Sequence, residues 1–402
     1  MDKIEELLTR GVDKIYPNRE ALEKLLRSGK KLTLYQGFDP TGTQLHIGHA
    51  VGFRKLRQWQ DLGHHVIFLI GDGTGQAGDP SGKKTAREKF FTRDELRKNG
   101  KDYVMQASKI VRFDGPNPVE IRYNGDWLNK LGLVEILDIA GRVSFQQMLE
   151  RDLYQERLKS RITFSLREFL YPLLQGYDSV AMKVDLELGG SDQTFNMLMG
   201  RHLVKSMQDR EKFVMTVPLL TDSKGVKIGK TEGNVIGLTD SPNEFYAKIM
   251  SLGDDAIIPC FTLLTDESMT VIEEIKNKMI AGKNPMLFKK QLAFELTKQL
   301  NSEKEAQEAQ EEFERVHQER VYTDVVGSEI ELAEQDKNVK SFLKQLVEKG
   351  FISSLSEAKR WYESGAIKIY DFKTQKEKTV EGINDGDIIK KGPKVFIRIK
   401  LI

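Results

Sequence analysis

The segment from Leu34 to Lys83 constrains the fold more than any other part of the sequence. Lys31–Gln36 predicts a short buried strand that ends at Gly37. From His46, apolar residues recur every three to four positions, which predicts a helix. Val66–Ile70 predicts a second strand that runs into a glycine-rich loop. A strand, a glycine-rich turn, a helix and a second strand are typical of the opening of a nucleotide-binding α/β sheet.

Two histidines at the start of this predicted helix form the sharpest local pattern. His46 and His49 are three residues apart and would therefore lie on one helical face. Gly48 between them carries no side chain that would keep a flat base and a ribose away from the backbone. Donors at a helix start suit nucleotide phosphates, whose chemistry depends on charge stabilisation. The alternatives are a histidine pair without a ligand and a metal site, although no nearby Cys or carboxylate pattern completes the latter.

Composition limits the remaining possibilities. The 402 residues suffice for two or three domains, and a net charge of +2 means that any nucleic-acid contact must come from a local patch. The single cysteine, Cys260, excludes an internal disulfide framework and favours a reducing, cytoplasmic compartment. Residues 1–10 predict a charged amphipathic helix rather than a signal peptide. No apolar run approaches the roughly 20 residues that a membrane span requires.

The polar segment that follows the glycine-rich loop predicts a connection and then a helix. Thr92 and Glu95 have the spacing of a capping box at the start of that helix. Asn99–Gly100 predicts its end. Residues 119–123 predict a further strand.

A set of three polar residues lies on a later predicted helix, 164–177, and at its end. Tyr171, Gln175 and Asp178 follow one another at steps of four and three residues and would share one face. Because buried polar atoms need partners, the set favours a ligand pocket over a core face.

Two later turns also carry groups suited to a nucleotide. The predicted strand 182–188 runs into Gly189–Gln193, where Asp192 can accept hydrogen bonds from ribose hydroxyls. Lys224–Thr231 contains three lysines and two glycines, which predicts a flexible cationic loop that can follow phosphates during a reaction. An ordinary lysine-rich surface turn is the alternative for the second segment.

Periodicity and charge predict several domains. Residues 1–238 contain the predicted strands and form the sheet domain. A helical insertion at about 125–162 within it is either a subunit contact or a solvated helical hairpin. Residues 239–320 show helical periods, and 321–338 predict a linker. Residues 339–402 hold 14 Lys and Arg against 8 Asp and Glu. They predict two helices, the second capped by Ser356, followed by short strands, a composition that favours RNA binding.

Five motifs occur in the order found in one enzyme family. They are Gly37–Thr41, His46–His49, Gly78–Lys83, Tyr171–Asp178 and Lys227–Thr231. On these motifs the chain resembles the bacterial class I tyrosyl-tRNA synthetases over essentially its whole length, and residues 339–402 resemble an S4 RNA-binding domain. The last motif is similar to the family's Lys-Met-Ser-Lys-Ser signature but lacks its Met and Ser. The resemblance implies an α/β fold: a Rossmann-like parallel-sheet catalytic domain, a helical middle domain and a small α+β C-terminal domain.

The resemblance also implies the reaction and the groups that would perform it. ATP and tyrosine would form tyrosyl-adenylate and pyrophosphate, after which the tyrosyl group would pass to the 3′ end of tRNA(Tyr). The residues implied for the tyrosine hydroxyl are Tyr35 and Asp178. Those implied for its ammonium group are Asp79, Tyr171 and Gln175.

The nucleotide side of the implied site is larger. The residues implied for the ATP phosphates are Thr41, His46 and His49. Those implied for the pyrophosphate leaving group, with Mg²⁺ as a partner charge, are Lys83, Lys227 and Lys230. The remaining implied ATP contacts are Gly37, Asp39, Gly48, Gly190, Asp192 and Gln193.

The resemblance further implies a cytoplasmic homodimer and an RNA-binding C-terminal domain. The candidate phosphate contacts in that domain are Lys340, Lys344, Lys359, Arg360, Lys368, Lys390 and Lys391. Three other classes remain alternatives: a simple nucleotidylyltransferase, an RNA-binding protein with a retired catalytic domain, and a tryptophanyl-tRNA synthetase. The Tyr35 and Asp178 pair counts against the first and the last, and the S4-like tail also counts against the first. The evidence against the second is that His46, His49, Lys227 and Lys230 are intact.

Overall fold

The computed structural model describes residues 2–401 except 43, 81–89, 164, 223–224, 226, 229, 232–233, 318–327, 334–337, 372–375 and 392–394. The side chains of residues 230, 231, 234, 317, 328, 395 and 396 also lie outside the description. The chain forms two compact units, residues 1–306 and 307–402. In the described ranges, no helix is both long enough and apolar enough to cross a membrane.

A six-stranded sheet organises the first unit. Its strands are Lys14–Tyr16 (β1), Thr33–Phe38 (β2), His65–Ile70 (β3), Glu120–Tyr123 (β4), Leu186–Gly190 (β5) and Phe213–Val217 (β6). The spatial order is β1-β6-β5-β2-β3-β4; β1 runs antiparallel to β6, and the other neighbours are parallel. The order of the parallel strands reverses between β5 and β2. The carboxyl ends of these two strands therefore open the crevice in which doubly wound sheets bind ligands.

Helices precede, connect and follow these strands along the chain. They are Lys3–Thr9 (α1), Arg19–Arg27 (α2), Ile47–Asp61 (α3), Thr74–Ala77 (α4), Arg93–Ala107 (α5), Gly125–Leu128 (α6), Leu133–Gly141 (α7), Phe145–Leu149 (α8), Asp152–Lys159 (α9), Leu166–Met182 (α10), Thr194–Gln208 (α11), Pro242–Met250 (α12), Ile257–Leu264 (α13), Met269–Ile280 (α14), Pro285–Leu300 (α15) and Glu303–His317 (α16). A short hairpin joins Lys230–Thr231 (β7) to Asn234–Val235 (β8).

The core of the first unit lies around the central strands and α3. β2 and β3 are buried along most of their length, as expected for a parallel sheet covered on both faces. On α3, Phe53, Leu56 and Trp59 are fully buried. Burial of each such side chain stabilises the fold by about 1.5–3 kcal/mol. The predicted helix start is confirmed, with His46 as the N-cap of α3.

The structure corrects two predicted boundaries. The capping box of Thr92 and Glu95 is confirmed, but the predicted end at Asn99–Gly100 is wrong because α5 continues to Ala107. A Cβ atom at Gly100 would lie 2.8 Å from Ile70 Cγ2, so this glycine lets α5 approach β3. The strand predicted at 182–188 is also displaced, since α10 extends to Met182 and β5 begins only at Leu186.

The second unit combines helices with a five-stranded sheet. Its elements are Ser328–Leu332 (β9), Val339–Glu348 (α17), Leu355–Glu363 (α18), Ile367–Tyr370 (β10), Glu377–Lys378 (β11), Ile388–Lys391 (β12) and Val395–Leu401 (β13). The strand order is β11-β10-β12-β13-β9, with β9 parallel to β13. Phe342, Leu346 and Ile399 belong to its buried core.

Two predictions for this unit are wrong. The segment 321–338 is not simply a linker, because β9 within it pairs with β13 as an edge strand of the sheet. Ser354 rather than Ser356 caps α18, through a hydrogen bond from the Glu357 backbone N–H. The strand was missed because its partner lies some seventy residues later, beyond the reach of local periodicity.

Candidate active site

A cavity of about 410 Å³ opens at the carboxyl ends of β2 and β5. Among the residues that the structure describes with their side chains, and the glycines, every residue predicted to contact ATP or tyrosine lines this cavity. These are Tyr35, Gly37, Asp39, Thr41, His46, Gly48, His49, Asp79, Tyr171, Gln175, Asp178, Gly190, Asp192, Gln193 and Lys227. Lys83 lies outside the described residues, and of Lys230 only the backbone is described. The shared face predicted for Tyr171, Gln175 and Asp178 is confirmed, since all three line this cavity.

The histidine turn forms one side of the cavity at the start of α3. Nδ1 of His46 accepts a hydrogen bond from the Gly48 N–H at 3.1 Å, and Nδ1 of His49 accepts one from the His46 N–H at 3.2 Å. In a neutral ring whose Nδ1 accepts, the hydrogen resides on Nε2. In the neutral form of each ring the donor hydrogen is therefore on Nε2, and an N–H group is the type of donor that suits a phosphate oxygen.

Gly48 has a second, structural reason to be glycine. A Cβ atom at this position would lie 2.9 Å from Cε1 of His46. The glycine therefore keeps the His46 ring in its capping position, in addition to leaving the backbone open to the cavity. The glycine between the two histidines therefore has two roles: it permits the hydrogen-bonded turn, and it leaves the backbone open to the cavity.

Two carboxylates, those of Asp39 and Asp79, also line the cavity. The Tyr171 hydroxyl donates to Oδ2 of Asp39 at 3.0 Å, and the Thr74 hydroxyl donates to Oδ1 of the same residue at 2.7 Å. Nε2 of Gln193 donates to Oδ2 of Asp79 at 2.9 Å. Burial raises the pKa of Tyr171 well above its ordinary value, and the negative charges of Asp39 and Asp79 add to the effect. This negative field suits a cationic ligand group.

Asp178 is the most enclosed carboxylate of the cavity, with 1% of its surface exposed. Its two oxygens accept hydrogen bonds from Nδ2 of Asn124 at 2.9 Å and from Nε1 of Trp127 at 2.8 Å. Burial raises the pKa of Asp178 well above its ordinary value, and these two donors oppose that effect. The carboxylate is thereby held in one orientation at a buried point of the cavity wall.

A buried network lies behind Tyr35 and Gln175. The Tyr35 hydroxyl is 2.9 Å from Oγ of Ser179, and Nζ of Lys212 donates to that oxygen at 2.6 Å. Lys212 also forms an ion pair with Glu187, whose other oxygen accepts from Nε2 of Gln175 at 3.0 Å. Burial raises the pKa of Tyr35 well above its ordinary value.

Sequence reasoning missed the residues that support the site from behind. Asn124 and Trp127 follow the carboxyl end of β4, the edge at which ligand groups gather, and this position could have indicated them. Glu187 is a charged residue between two buried leucines, Leu186 and Leu188, a pattern that calls for a buried partner. Nothing local in the sequence identifies Lys212 as that partner.

The predicted lysine loop reaches the cavity through Lys227. Its Nζ is 3.1 Å from Oδ2 of Asp192, and the lysine side chain is half exposed. The backbones of Thr221 and Lys227 form an isolated β-bridge that holds this part of the loop at the cavity edge.

The candidate RNA contacts of the second unit differ in side-chain exposure and in whether an acidic residue lies nearby. Lys340, Lys359 and Arg360 are exposed on its helices. Lys344 is exposed and lies 3.2 Å from Glu348, and Lys368 lies 2.8 Å from Glu377.

Lys390 and Lys391, the two remaining candidates, are only half exposed. The Lys391 ammonium group donates to the Phe351 carbonyl and sits 5.2 Å from the centre of the Trp361 ring. It is therefore engaged within its own unit.

Comparison with known proteins gives a consistent result. The family model described as tRNA synthetases class I (W and Y) matches residues 27–318. The tyrosine–tRNA ligase of Cupriavidus pinatubonensis is 40% identical over 400 residues, which cover 98% of this chain and 94% of that protein. The tyrosine–tRNA ligase of Thermotoga maritima is 40% identical over 398 residues, which cover 98% of this chain and 96% of that protein.

A solved structure shows the same architecture. A C-terminally truncated mitochondrial tyrosyl-tRNA synthetase of Aspergillus nidulans aligns with a TM-score of 0.66 and 25% identity. The alignment covers 78% of this chain and 94% of that one. Sequence relatives and the solved structure thus point to the same family.

Proposed function

This chain belongs to the class I tRNA synthetases (W and Y), and on that premise we propose that its cavity joins tyrosine to tRNA in two steps. The tyrosine carboxylate attacks the α-phosphorus of ATP in line, which gives tyrosyl-adenylate and pyrophosphate. A ribose hydroxyl at the 3′ end of tRNA then takes the tyrosyl group and releases AMP. Positioning and preorganised charge carry most of this chemistry.

The enclosed end of the cavity holds tyrosine. Tyr35 and Asp178 bind the phenolic hydroxyl, and Asp79, Tyr171 and Gln175 bind the ammonium group. The negative field around Tyr171 supports the second assignment, because it favours a cation. A buried polar group left without its partner destabilises a complex, so phenylalanine, which lacks the hydroxyl, is selected against.

The histidine turn holds the nucleotide. The Nε2–H groups of His46 and His49, together with Thr41, stabilise charge on the phosphates, most strongly in the transition state. Lys227 binds the departing pyrophosphate, with Lys83 and Lys230 assigned to the same task from the family motifs alone. The backbone and side chains proposed to contact the rest of ATP are those of Gly37, Asp39, Gly48, Gly190, Asp192 and Gln193.

One observation carries this assignment: the histidine turn and Asp178 line the same cavity. A simple nucleotidylyltransferase would have no use for a carboxylate so fully enclosed. The other amino acid in the family's description is tryptophan, whose indole N–H can only donate. Asp178 already accepts a hydrogen bond from the indole N–H of Trp127 within the protein. The Tyr35 hydroxyl, which lines the same cavity, can both donate and accept, and a tyrosine hydroxyl can do the same whereas an indole cannot.

The assignment is tested by ATP–pyrophosphate exchange with each of the twenty amino acids. We expect exchange with tyrosine alone at comparable concentrations. Exchange driven best by another amino acid, tryptophan included, or no exchange at all, would overturn the proposal.

We propose that Mg²⁺ arrives on the ATP phosphates and neutralises part of their charge. Within the described part of the chain, no group of three or more His, Cys, Asp and Glu residues is placed to hold a metal ion. Asp39, a proposed ATP contact, supplies carboxylate oxygens in the cavity, a donor type that suits Mg²⁺ once phosphates complete its shell.

We propose that the chain is a cytoplasmic homodimer. Large apolar side chains on the helical insertion are exposed, among them Leu133 at 72%, Val134 at 77% and Phe145 at 63%. A surface of this kind is typical of a subunit contact. Sedimentation of the purified chain gives its mass, and a monomer at micromolar concentration would contradict the proposal.

We propose that the second unit binds tRNA through its exposed cations, with Lys340, Lys359 and Arg360 as the most accessible. Contacts to phosphates position RNA without selecting its sequence. Replacement of all three by Ala should therefore weaken tRNA binding and flatten its salt dependence, while pyrophosphate exchange stays unchanged.

A further inference from the structure

The ion pair of Lys212 and Glu187 is buried more completely than a charged pair usually is. The Lys212 side chain is 0% exposed and that of Glu187 is 2% exposed. A buried ion pair contributes little net stability compared with apolar residues of the same volume. Its presence directly behind a ligand cavity therefore calls for another reason.

The hydrogen bonds of the pair lead to the cavity wall. One carboxylate oxygen of Glu187 accepts from Lys212, and the other accepts from Nε2 of Gln175 at 3.0 Å. Both Glu187 and Gln175 line the cavity. Lys212 also donates to Ser179, whose Oγ is 2.9 Å from the Tyr35 hydroxyl.

The chemistry of these groups fixes the orientation of one amide. An ionised carboxylate can only accept hydrogen bonds, so the NH₂ group of Gln175 must face Glu187. The amide oxygen of Gln175 is then directed away from Glu187 and left to accept from another donor. A substrate ammonium group is such a donor.

Lys212 keeps this arrangement in one state. Its positive charge is the partner of the buried Glu187 carboxylate, whose two oxygens can only accept hydrogen bonds. A neutral group in place of that carboxylate could donate as well as accept, and Gln175 could then present either end of its amide to the cavity. Gly200 leaves room for the ammonium group of Lys212, because a Cβ atom at position 200 would lie 2.5 Å from Nζ of Lys212.

We propose that Lys212 and Glu187 are positioning residues that orient the Gln175 amide, so that its oxygen meets the ammonium group of the amino-acid substrate. This inference rests on the proposed function, because it takes tyrosine as the ligand of this end of the cavity. The pair acts through Gln175 and does not itself touch the reacting atoms.

The test compares two ligands that differ only in the ammonium group. They are tyrosine and 3-(4-hydroxyphenyl)propanoate, with dissociation constants measured by titration and by competition. The main variant is Lys212→Met/Glu187→Met, which removes both charges without leaving one buried alone. We expect it to bind tyrosine about tenfold more weakly, the scale of one hydrogen bond to a charged group, and the propanoate within about twofold of the wild type.

A matched control removes another buried ion pair. Arg157 and Glu168 are 2.8 Å apart, with side chains 3% and 6% exposed, and neither lines the cavity. Arg157→Met/Glu168→Met should leave both dissociation constants unchanged. A second variant, Glu187→Gln, keeps the volume, but its single amide oxygen must face the Lys212 ammonium group, because a lysine can only donate. Its NH₂ group then faces Gln175 and reverses that amide, so tyrosine alone should bind about tenfold more weakly.

The outcomes separate the alternatives. Equal weakening of both ligands in the main variant, or no weakening of either, would overturn the orienting role. The same loss in the Arg157 and Glu168 control would overturn it as well, because the effect would then follow from lost stability. Failure of the wild-type chain to bind tyrosine at all would instead overturn the proposed function.

Discussion

The two ends of the cavity are built in different ways. At the proposed nucleotide end, His46 and His49 are half-buried, and each ring accepts a hydrogen bond from a backbone N–H two or three residues away. At the proposed amino-acid end, Asp178 is fully enclosed, and its donors lie 51 and 54 residues away. The first end is a local, half-buried structure, whereas the second depends on the packing of separate elements around buried charge.

The ion pairs at the two ends should differ most in their effect on stability. Lys212→Ala leaves Glu187 unpaired in the interior and should lower the free energy of unfolding by about 3–5 kcal/mol. Lys227→Ala breaks the half-exposed pair with Asp192 and should change it by less than about 1 kcal/mol. Urea unfolding of both variants measures the difference, and similar losses would show that the two ends are not distinct in this respect.

Selectivity should depend on the enclosed end alone. Asp178→Asn replaces an acceptor of two hydrogen bonds by a group that must turn one donor toward Asn124 or Trp127. The preference for tyrosine over phenylalanine, measured as the ratio of kcat/KM in pyrophosphate exchange, should fall about 100-fold. Glu168→Gln on the same helix is the control, since Glu168 lies outside the cavity lining, and it should leave the ratio unchanged.

The rate should depend on the histidine end. His49→Ala removes a proposed donor to the phosphates and should slow adenylate formation about tenfold or more, with the KM for tyrosine unchanged. His49→Asn retains an acceptor for the His46 N–H, so it separates loss of the cap from loss of the donor. A large rise in the KM for tyrosine in either variant would contradict the division between the two ends.

A single hydrogen bond at the enclosed end gives the smallest expected effect. Trp127→Phe removes the indole N–H that fixes one oxygen of Asp178 and keeps most of the ring volume. The preference for tyrosine over phenylalanine should fall about fivefold, because Asn124 still holds the other oxygen. No change in this preference would show that Asn124 suffices to orient the carboxylate.

Prediction from the sequence succeeded where the structure is local. The His46 cap, the Thr92 and Glu95 capping box and the shared face of Tyr171 and Asp178 each depend on spacings of four residues or fewer, or on successive helical turns. Backbone hydrogen bonds and helical periodicity determine such features directly, so residue types and spacing suffice to predict them.

Prediction failed where the partner of a residue is distant in the chain. Gly100 looked like a helix end, but it is the position at which α5 approaches Ile70. The segment around β9 looked like a linker, because its pairing with β13 leaves no mark on its own periodicity.

The sequence by itself determined the strand, helix and strand around the histidine turn, that turn itself and the family, since each is expressed in short motifs whose residues act on their immediate neighbours. Only the tertiary structure decided which donors hold Asp178 and that Lys212 stands behind Gln175. A buried charge must find a partner, but the sequence does not say from which strand or helix that partner comes. The sheet order that places β5 beside β2 and β6 makes that choice.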